Sequence, residues 1–370
     1  MKYYIIAGEA SGDLHGASLI KEIKKSDTKA IINCWGGDLM SEAGGKLIKH
    51  FKDISFMGFW EVFVNFLTIY KNLNFCKKDI QKFKPDVIIY IDYPGFNLRI
   101  AKWAHKNGYK NHYYISPQVW AWKENRIKTI KKNIDYLYVI LPFEKSFYEV
   151  KHGFKVDYVG HPLMEHIPER KINKRFIKKI NSISNKPIIA LLPGSRKQEI
   201  NKILPEFVKV SKKFNNYQFI IAGAPGRTIY DYKSIIKDIP IPVIFNHTYN
   251  LIQSSKAAIV TSGTATLETA LIGTPQIVCY KSSNLSFFIA KLIVKLKYIS
   301  LVNIIMNKAI IDELIQFDCN SKKICFFLER ILDKSREKKI KSDYKKLYDL
   351  LDQGGASKIT SNLILKRIVK

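Results

Sequence analysis

LPGSRKQEI (Leu192–Ile200) and TSGTATLETALIGTP (Thr261–Pro275) are the two stretches that decide the fold. Each begins at the end of an apolar strand, passes through a turn of small residues, and enters a sequence typical of a helix. Such turns expose backbone N–H groups at a helix N-terminus, where a phosphate or pyrophosphate can bind. Two of them in one βα series predict a nucleotide-sugar pocket, and hence an enzyme that acts on an activated sugar.

Strands and helices alternate along both halves of the chain. In the first half we predict strands at Tyr3–Ala7, Ile31–Trp35, Asp86–Ile91, His112–Ile115, Tyr136–Ile140 and Val156–Val159. In the second half we predict Ile188–Leu192, Gln218–Ala222, Val243–Phe245, Ala257–Val260 and Gln276–Tyr280. This alternation is typical of parallel, doubly wound sheets. The series breaks at about residues 160–187, so we predict two Rossmann-like domains that face each other across a cleft, with the ligand at the carboxyl ends of the strands.

The composition is strongly basic. The 370 residues include 61 Lys and Arg against 32 Asp and Glu, a net charge of +29. This charge would suit an anionic membrane, nucleic acid or a phosphorylated substrate, or it reflects lysine on every solvated surface. A nucleic-acid binder should carry clustered basic residues interleaved with aromatics, and no such cluster is seen. With 46% hydrophobic residues the chain can bury two cores, which excludes global disorder.

Cysteine usage and the N-terminus favour a cytoplasmic protein. The five cysteines are scattered and form no CxxC pair, which argues against disulfides and a structural zinc site. The apolar run at the start is too short for a signal peptide, because Glu9 follows at once. No uninterrupted apolar stretch reaches the ~18 residues of a spanning helix, so any membrane contact should be peripheral.

The GEASGD turn, Gly8–Asp13, lies between the first strand and a helix, with Asp13 placed like an N-cap. It lacks the GxGxxG spacing, and the chain lacks the Walker pattern GxxxxGK[ST], so a redox cofactor and an NTPase are both disfavoured. We expect no cofactor.

An ordered set of motifs runs from Gly8 to about Gln316. Its members are GEASGD, WGGDLM (Trp35–Met40), FMGFWEV (Phe56–Val62), DYPGFN (Asp92–Asn97), YISPQVWAWKENR (Tyr114–Arg126), LPFE (Leu141–Glu144), VGHPL (Val159–Leu163), LPGSRKQEI, GTATLE (Gly263–Glu268), Asn303 and ELIQ (Glu313–Gln316). With this set the chain resembles the lipid-A-disaccharide synthase family.

The resemblance implies an α/β protein of GT-B fold that is an inverting, metal-independent glycosyltransferase. It would transfer 2,3-diacylglucosamine from its UDP derivative to 2,3-diacylglucosamine 1-phosphate (lipid X), giving the β-linked lipid A disaccharide 1-phosphate and UDP. The alternative is another GT-B UDP-sugar enzyme, a glycosyltransferase or an epimerase, with a different acceptor. Such an enzyme should lack the GEASGD and WAW segments.

The resemblance also implies a domain plan. Residues 1–165 would form an acceptor-binding, membrane-facing domain and residues 166–345 a UDP-sugar domain. Residues 346–370 would form a helix that returns to the N-terminal domain or is exchanged in a homodimer. The protein would work at the inner face of the cytoplasmic membrane, with no nucleic-acid partner.

The donor residues follow from the needs of the leaving UDP, whose developing charge must be stabilised. Arg196 can grip a diphosphate bidentately. Glu199 either bonds to sugar hydroxyls or only occupies the first helical turn, and Glu268 lies where GT-B enzymes commonly hold the ribose of UDP. Asn303 and Gln316 are carried over from the resemblance alone. The expected donor set is Gly194, Ser195, Arg196, Glu199, Gly263, Thr264, Ala265, Thr266, Glu268, Asn303 and Gln316.

The general base is harder to assign, because Gly95 occupies the position after the proline at which the family often has an acid. We expect Asp92 to be the base or to orient it, unless it only caps the following helix. Glu9 and Asp13 are reserve candidates that could instead position the acceptor sugar or hold the first turn. Arg196 completes the catalytic set.

The acceptor is assigned to residues of the N-terminal half, with Lys123 and Arg126 meeting its phosphate. The set is Ser11, Gly12, Asn97, Trp120, Lys123 and Arg126. No strand end carries a DxD pair, so no metal is expected in catalysis.

Membrane contact is expected from Phe56–Tyr70, an aromatic, apolar stretch followed by lysines. Such a segment fits a helix lying in a bilayer interface. Its membrane residues would be Phe56, Phe59, Trp60, Phe63, Phe66 and Leu67. Phe287–Met306 is similar, and for both stretches the alternative is burial in a core or a subunit interface.

Overall fold

The structure, a computed structural model, describes residues 1–53, 66–167, 176, 185–284, 287 and 296–368. It divides into two compact units, Met1–Glu165 with Leu351–Lys370, and His166–Leu350. Each unit is built on one parallel β-sheet, as the alternating pattern predicts.

The first unit contains a seven-stranded sheet. Its strands are β1 (Lys2–Ala7), β2 (Ile31–Gly36), β3 (Lys46–His50), β4 (Val87–Ile91), β5 (Asn111–Tyr114), β6 (Tyr136–Val139) and β7 (Asp157–Tyr158). The helices between them are α1 (Ala10–Ser26), α2 (Asp38–Glu42), α3 (Phe66–Phe83), α4 (Pro94–Lys106), α5 (Arg126–Asn133) and α6 (Pro142–Ser146).

The second unit contains a six-stranded sheet. Its strands are β8 (Ile188–Leu192), β9 (Gln218–Gly223), β10 (Val243–Phe245), β11 (Ser255–Thr261), β12 (Gln276–Tyr280) and β13 (Asp312–Ile315). The helices that follow are α7 (Lys197–Ser211), α8 (Ile229–Ile236), α9 (Thr248–Ser254), α10 (Thr264–Ile272), α11 (Leu301–Met306), α12 (Ser321–Leu332) and α13 (Lys334–Leu351), and the chain continues into α14 (Ala356–Ile368).

Both sheets are doubly wound. The strand order is β3-β2-β1-β4-β5-β6-β7 in the first and β10-β9-β8-β11-β12-β13 in the second. In the first sheet, strands are added on one side of β1 up to β3 and on the other side from β4 onward. The second sheet switches sides in the same way between β8 and β11. Loops at such a switch point diverge from adjacent strand ends and leave a crevice for a ligand. The loops that follow these four strands are the GEASGD, DYPGFN, LPGSRKQEI and SGTATLE segments.

The central strands are apolar throughout because helices cover both faces of each sheet. All five residues of β4 (VIIYI) and of β8 (IIALL) are buried. Separate apolar clusters lie on the two faces of the first sheet, one including Tyr90 and Ile100, and the other Ile89 and Ile364. The four loops thus project from rigid strands.

The last helix belongs to the first unit, where α14 packs against α1. Ile364 is fully buried. The backbone N–H and hydroxyl of Ser357 donate to the Glu165 carboxylate at 2.6 and 2.8 Å. Arg367 pairs with Asp157 at 2.8 Å. The C-terminal residues therefore complete the apolar core on one face of the first sheet.

Two strands were missed and one local prediction was wrong. Strands β3 and β13 were not predicted, because their sequences, KLIKH and DELI, are short and polar. Both lie at sheet edges, where burial is incomplete and the apolar pattern weakens. The N-cap of α1 is Glu9 rather than Asp13, since the helix begins at Ala10.

Within the described part of the chain, no helix combines the length and the apolar character needed to cross a membrane.

Candidate functional site

A cavity of about 860 Å³ lies at the carboxyl ends of β8 to β11 in the second unit. Most of the predicted donor residues line it, namely Gly194, Ser195, Arg196, Glu199, Gly263, Thr264, Ala265 and Glu268. The two turns come together here because β8 and β11 are adjacent and parallel. A volume of this size is that of a small-molecule site.

The first turn is held in shape by Glu199. Its Oε2 accepts the backbone N–H groups of Ser195 and Arg196, each at 3.3 Å, and its Oε1 lies 3.8 Å from the Arg196 guanidinium. Gly194 has φ +103°, and a Cβ there would lie 2.6 Å from Glu199 Oε2. Glycine is therefore required, and Glu199 occupies the N–H groups that we expected to face a phosphate. The exposed Arg196 remains at the cavity wall.

The second turn presents the N-terminus of α10. The first N–H groups of a helix have no acceptor within that helix, so Thr264 and Ala265 bring amide donors to the cavity wall. Thr266 is fully buried, and its hydroxyl donates to the Gly263 carbonyl at 2.8 Å. Its side chain thus stabilises the turn, and Thr266 is not among the lining residues.

Glu268 forms a pair with Tyr249 that the sequence did not suggest. The tyrosine hydroxyl donates to the Glu268 carboxylate at 3.0 Å, and burial raises the pKa of Glu268. Tyr249 belongs to a further part of the cavity wall, formed by residues 246–250 after β10. Ala224 and Pro225, in the loop after β9, also line the cavity. Both loops are strand-to-helix connections; the one after β10 carries no glycine, and the one after β9 was missed although it contains Gly226 and follows Gly223. Together they extend the cavity beyond the two predicted turns.

Asn303 does not line this cavity. Its Nδ2 donates to the Ile311 carbonyl and to Glu313, both at 2.9 Å, and its Oδ1 accepts the N–H groups of Ile310 and Ile311. Glu313 also accepts from the Ser300 hydroxyl at 2.7 Å. The side chain of Asn303, on α11, therefore links this helix to β13 and the residues just before it.

Gln316 lines a second, smaller cavity of about 420 Å³ with Lys202, Lys281 and Phe317. Its backbone has φ +54°, which is rare for a residue other than glycine. The side chain is buried and accepts the N–H of Ser282 at 3.1 Å. Gln316 is therefore separate from the turns that line the larger cavity.

In the first unit, the loops after β1 and β4 bring Glu9 and Asp92 together. Asp92 and Tyr93 have φ of 43° and 49°, two successive left-handed residues at the end of a buried strand. Such strain is found where the surrounding structure enforces it, and it clusters at functional sites. Burial, with the nearby charge of Glu9, raises the pKa of Asp92 to about 6. A half-buried carboxylate with this pKa can accept a proton near neutral pH.

Asn97 lies beneath this loop. It is fully buried, and its amide donates to the carbonyls of Ile6 and Ile91, each at 3.3 Å, and of Asp92 at 2.7 Å. The Tyr113 hydroxyl reaches the same Asp92 carbonyl at 2.5 Å. Asn97 therefore ties the ends of β1 and β4 together and supports Asp92, where we had expected a contact with the acceptor.

Asp13 is also committed to the fold. Its buried carboxylate accepts the N–H groups of Gly37, Leu39 and Met40 at 2.7, 3.2 and 3.1 Å. It thereby caps α2, the helix after β2, with a negative charge at a helix N-terminus. This geometry favours a structural role for Asp13 in holding the turn, over a role as base or in positioning the acceptor sugar.

The remaining acceptor candidates occupy two places. Ser11 is exposed at the start of α1, whereas Gly12 is buried. Lys123 and Arg126 flank the exposed ring of Trp122, with the ammonium 4.4 Å and the guanidinium 5.6 Å from its centroid. The two cations therefore lie close together around Trp122 in the segment after β5.

The candidate membrane residues are only partly described. Phe56, Phe59, Trp60 and Phe63 lie outside the described residues, and Phe66 is described only as the first residue of α3. Leu67 is 72% exposed and Tyr70 58%. The start of α3 thus presents apolar side chains to solvent.

Comparison with solved structures gives the fold. The chain is similar to UDP-GlcNAc 2-epimerase from Neisseria meningitidis, solved with UDP-GlcNAc, with a TM-score of 0.67 and 13% identity over 99% of this chain and 100% of that one. It is also similar to the kitacinnamycin glycotransferase, with a TM-score of 0.66 and 10% identity over 99% and 98%. At this identity a likeness shows the fold alone, and it confirms the predicted GT-B class.

Comparison of sequences gives the family. The model of the lipid-A-disaccharide synthetase family matches residues 3–366. The lipid-A-disaccharide synthase of Syntrophus aciditrophicus is 38% identical over 99% of this chain and 97% of its own length. That of Trichlorobacter lovleyi is 35% identical over 98% and 97%. The chain therefore belongs to the lipid-A-disaccharide synthase family, the glycosyltransferases of lipid A disaccharide synthesis.

Proposed function

We propose that the chain transfers 2,3-diacylglucosamine from its UDP derivative to 2,3-diacylglucosamine 1-phosphate, with inversion at the anomeric carbon and without a metal. One observation carries the proposal. The cavity of the second unit combines an exposed arginine, the amide end of α10 and a half-buried carboxylate at the switch point of a parallel sheet. Those are the groups that a nucleoside diphosphate requires.

Arg196 and α10 would act on the leaving group. Negative charge develops on the UDP diphosphate as the glycosidic bond breaks, and a guanidinium with helix N-terminal amides stabilises it. Glu268 would accept the ribose hydroxyls, replacing or sharing the hydrogen bond that Tyr249 now donates. Arg196 and the N-terminus of α10 would supply the positive electrostatic field that a metal ion provides in other transferases.

Asp92 would act on the acceptor. Inversion needs a base that removes the hydroxyl proton as the oxygen attacks the face opposite UDP. A carboxylate whose pKa is raised to about 6 is mostly ionised at neutral pH and is more basic than an ordinary aspartate. Glu9 would tune this basicity by its charge.

The test is an assay of the purified chain with both diacylated substrates in EDTA, following UDP directly by anion-exchange chromatography and the disaccharide by mass spectrometry. Both products in equal amounts support the proposal, and a β linkage by NMR supports inversion. UDP formed without disaccharide would indicate another acceptor. Loss of activity in EDTA, restored by Mg²⁺, would contradict the metal-independent reaction.

We further propose that the first unit rests on the inner face of the cytoplasmic membrane through the start of α3. Exposed Leu67 and Tyr70 stand beside Lys71, a combination suited to an anionic interface. Leu67→Asp should reduce cosedimentation with phosphatidylglycerol vesicles severalfold. Val150, 82% exposed on another part of the unit, offers the matched control Val150→Asp. Equal loss in both variants, or no binding by the parent, would contradict the proposal.

A further inference from the structure

A second buried carboxyl group lies at the carboxyl end of the first sheet. Glu144, on α6 after β6, is 1% exposed. Its Oε2 accepts the N–H groups of Ile140 and Leu141 at 3.2 and 3.0 Å, which caps α6. Burial of a carboxylate is costly unless its oxygens are hydrogen-bonded, so the remaining partner of Glu144 matters.

The third hydrogen bond of Glu144 leaves α6 altogether. Its Oε1 accepts the indole N–H of Trp120 at 3.1 Å, and the same indole packs edge-on against Phe143 at 4.9 Å and 89°. Trp120 belongs to the segment after β5 that also carries Lys123 and Arg126, the two cations beside Trp122. Glu144 therefore connects α6 to the segment expected to bind the acceptor.

All three partners of Glu144 are donors. An ionised carboxylate only accepts hydrogen bonds and matches this set, whereas a protonated one would bring a further hydrogen to a site already filled with hydrogens. Burial, with a smaller contribution from Asp92, nevertheless raises the pKa of Glu144 to about 7. Burial raises the pKa values of Tyr148 and Tyr158, and the charge of Glu144 adds a smaller contribution to each. The groups that face Glu144 are therefore Asp92, Tyr148, Tyr158 and the Trp120 indole.

We propose that Glu144 is a positioning residue which, in its ionised form, fixes Trp120 and thereby holds the segment from Trp120 to Arg126 in the shape that receives the acceptor. This inference rests on the proposed function. Below neutral pH, protonation weakens the hold on the indole and the segment loosens. The acceptor is then bound less well, while donor binding in the second unit is unchanged.

Glu144→Gln separates positioning from capping. The amide oxygen can still accept the two backbone N–H groups, but the NH₂ group then faces the indole N–H, donor against donor. We expect the KM for the acceptor to rise about 10- to 100-fold and the KM for the UDP donor to change less than twofold. Trp120→Phe removes the same hydrogen bond from the other side, and the double variant should lose little more than either single one. Trp103→Phe, on α4, is the matched control and should keep the parent values.

A second readout is independent of activity. In protein labelled with 5-fluorotryptophan, the ¹⁹F resonance that disappears in Trp120→Phe should titrate with a midpoint near 7 in the parent. It should stay constant with pH in Glu144→Gln. In Asp92→Asn its midpoint should fall, because a like charge has been removed.

A Trp120 resonance that is constant with pH in the parent would overturn the inference. So would a Glu144→Gln enzyme in which both KM values rise together with a lower melting temperature, since that is the result of a lost cap. If the parent forms no disaccharide, the proposed function fails, and the ¹⁹F titration still decides whether Glu144 holds Trp120.

Discussion

Asp92→Asn is the substitution that bears most directly on the proposed mechanism. It replaces the carboxylate by an amide of the same shape, so it removes the base and leaves the packing. Removing a positioned general base typically lowers kcat by 10²–10⁴-fold. In the parent, kcat/KM should fall below a midpoint of about 6, the pKa to which burial and Glu9 raise Asp92.

The same substitution should stabilise the first unit. The pKa of Asp92 rises from 3.8 in the unfolded chain to about 6 in the folded one, so the folded state is favoured when the group is protonated. That contribution is present below pH 3.8 and is lost as the pH rises through 6. At pH 8 the ionised group therefore lowers the free energy of unfolding by about 1–2 kcal/mol, after a discount for its partial exposure. Asp92→Asn should regain this amount, a rise in melting temperature of roughly 2–6 °C.

The assay combines two measurements, the pH profile of disaccharide formation and thermal unfolding at pH 4 and pH 8. The stability gain should be present at pH 8 and nearly absent at pH 4. Glu9→Gln is the control, because removal of its charge should lower the pKa of Asp92 and move the acidic limb of the profile to lower pH. The reasoning is refuted if Asp92→Asn retains more than about a tenth of the activity, or if it is less stable at pH 8.

Four further substitutions, one of them a control, test the two turns and the buried acid. Arg196→Ala should weaken UDP binding, measured by calorimetry, about 10- to 100-fold and leave the melting temperature unchanged. The exposed guanidinium contributes to ligand binding and not to the stability of the fold. Gly194→Ala should lower the free energy of unfolding by about 1–3 kcal/mol, since a Cβ at φ +103° meets Glu199. Gly263→Ala is the control: its Cβ would lie in open space, so its melting temperature should equal that of the parent. Asp13→Asn should destabilise the first unit by about 1–3 kcal/mol, because the amide NH₂ opposes at least one of the three N–H donors that the carboxylate accepts. An unchanged melting temperature would contradict that role.

The parts of the fold that could be predicted are those whose pattern is local. Strands such as VIIYI and IIALL are covered on both faces and read as continuous apolar runs, so their positions follow from burial alone. KLIKH and DELI lie at edges with one side unpaired, and their polar residues hide the strand. The small-residue turns after β8 and β11 were found because helix N-termini carry a recognisable composition.

The parts of the site that could not be predicted depend on long-range contacts. Asp13 receives its donors from residues 24 to 27 positions away, and nothing in its own neighbourhood indicates them. Tyr249 meets Glu268 only because β10 and β11 end at the same edge. Asn303 was assigned by resemblance, yet its hydrogen bonds to Ile311 and Glu313 emerge only when β13 is placed.

The return of α14 to the first unit has a consequence for how the protein is made. The face of the first sheet that α14 covers stays open until residues 356–368 have left the ribosome, whereas His166–Leu350 is continuous in sequence and can fold earlier. We therefore expect the second unit to become protease-resistant first during synthesis, although it is translated later. Pulse proteolysis of stalled nascent chains would reveal this order, and early protection of Met1–Glu165 would contradict it.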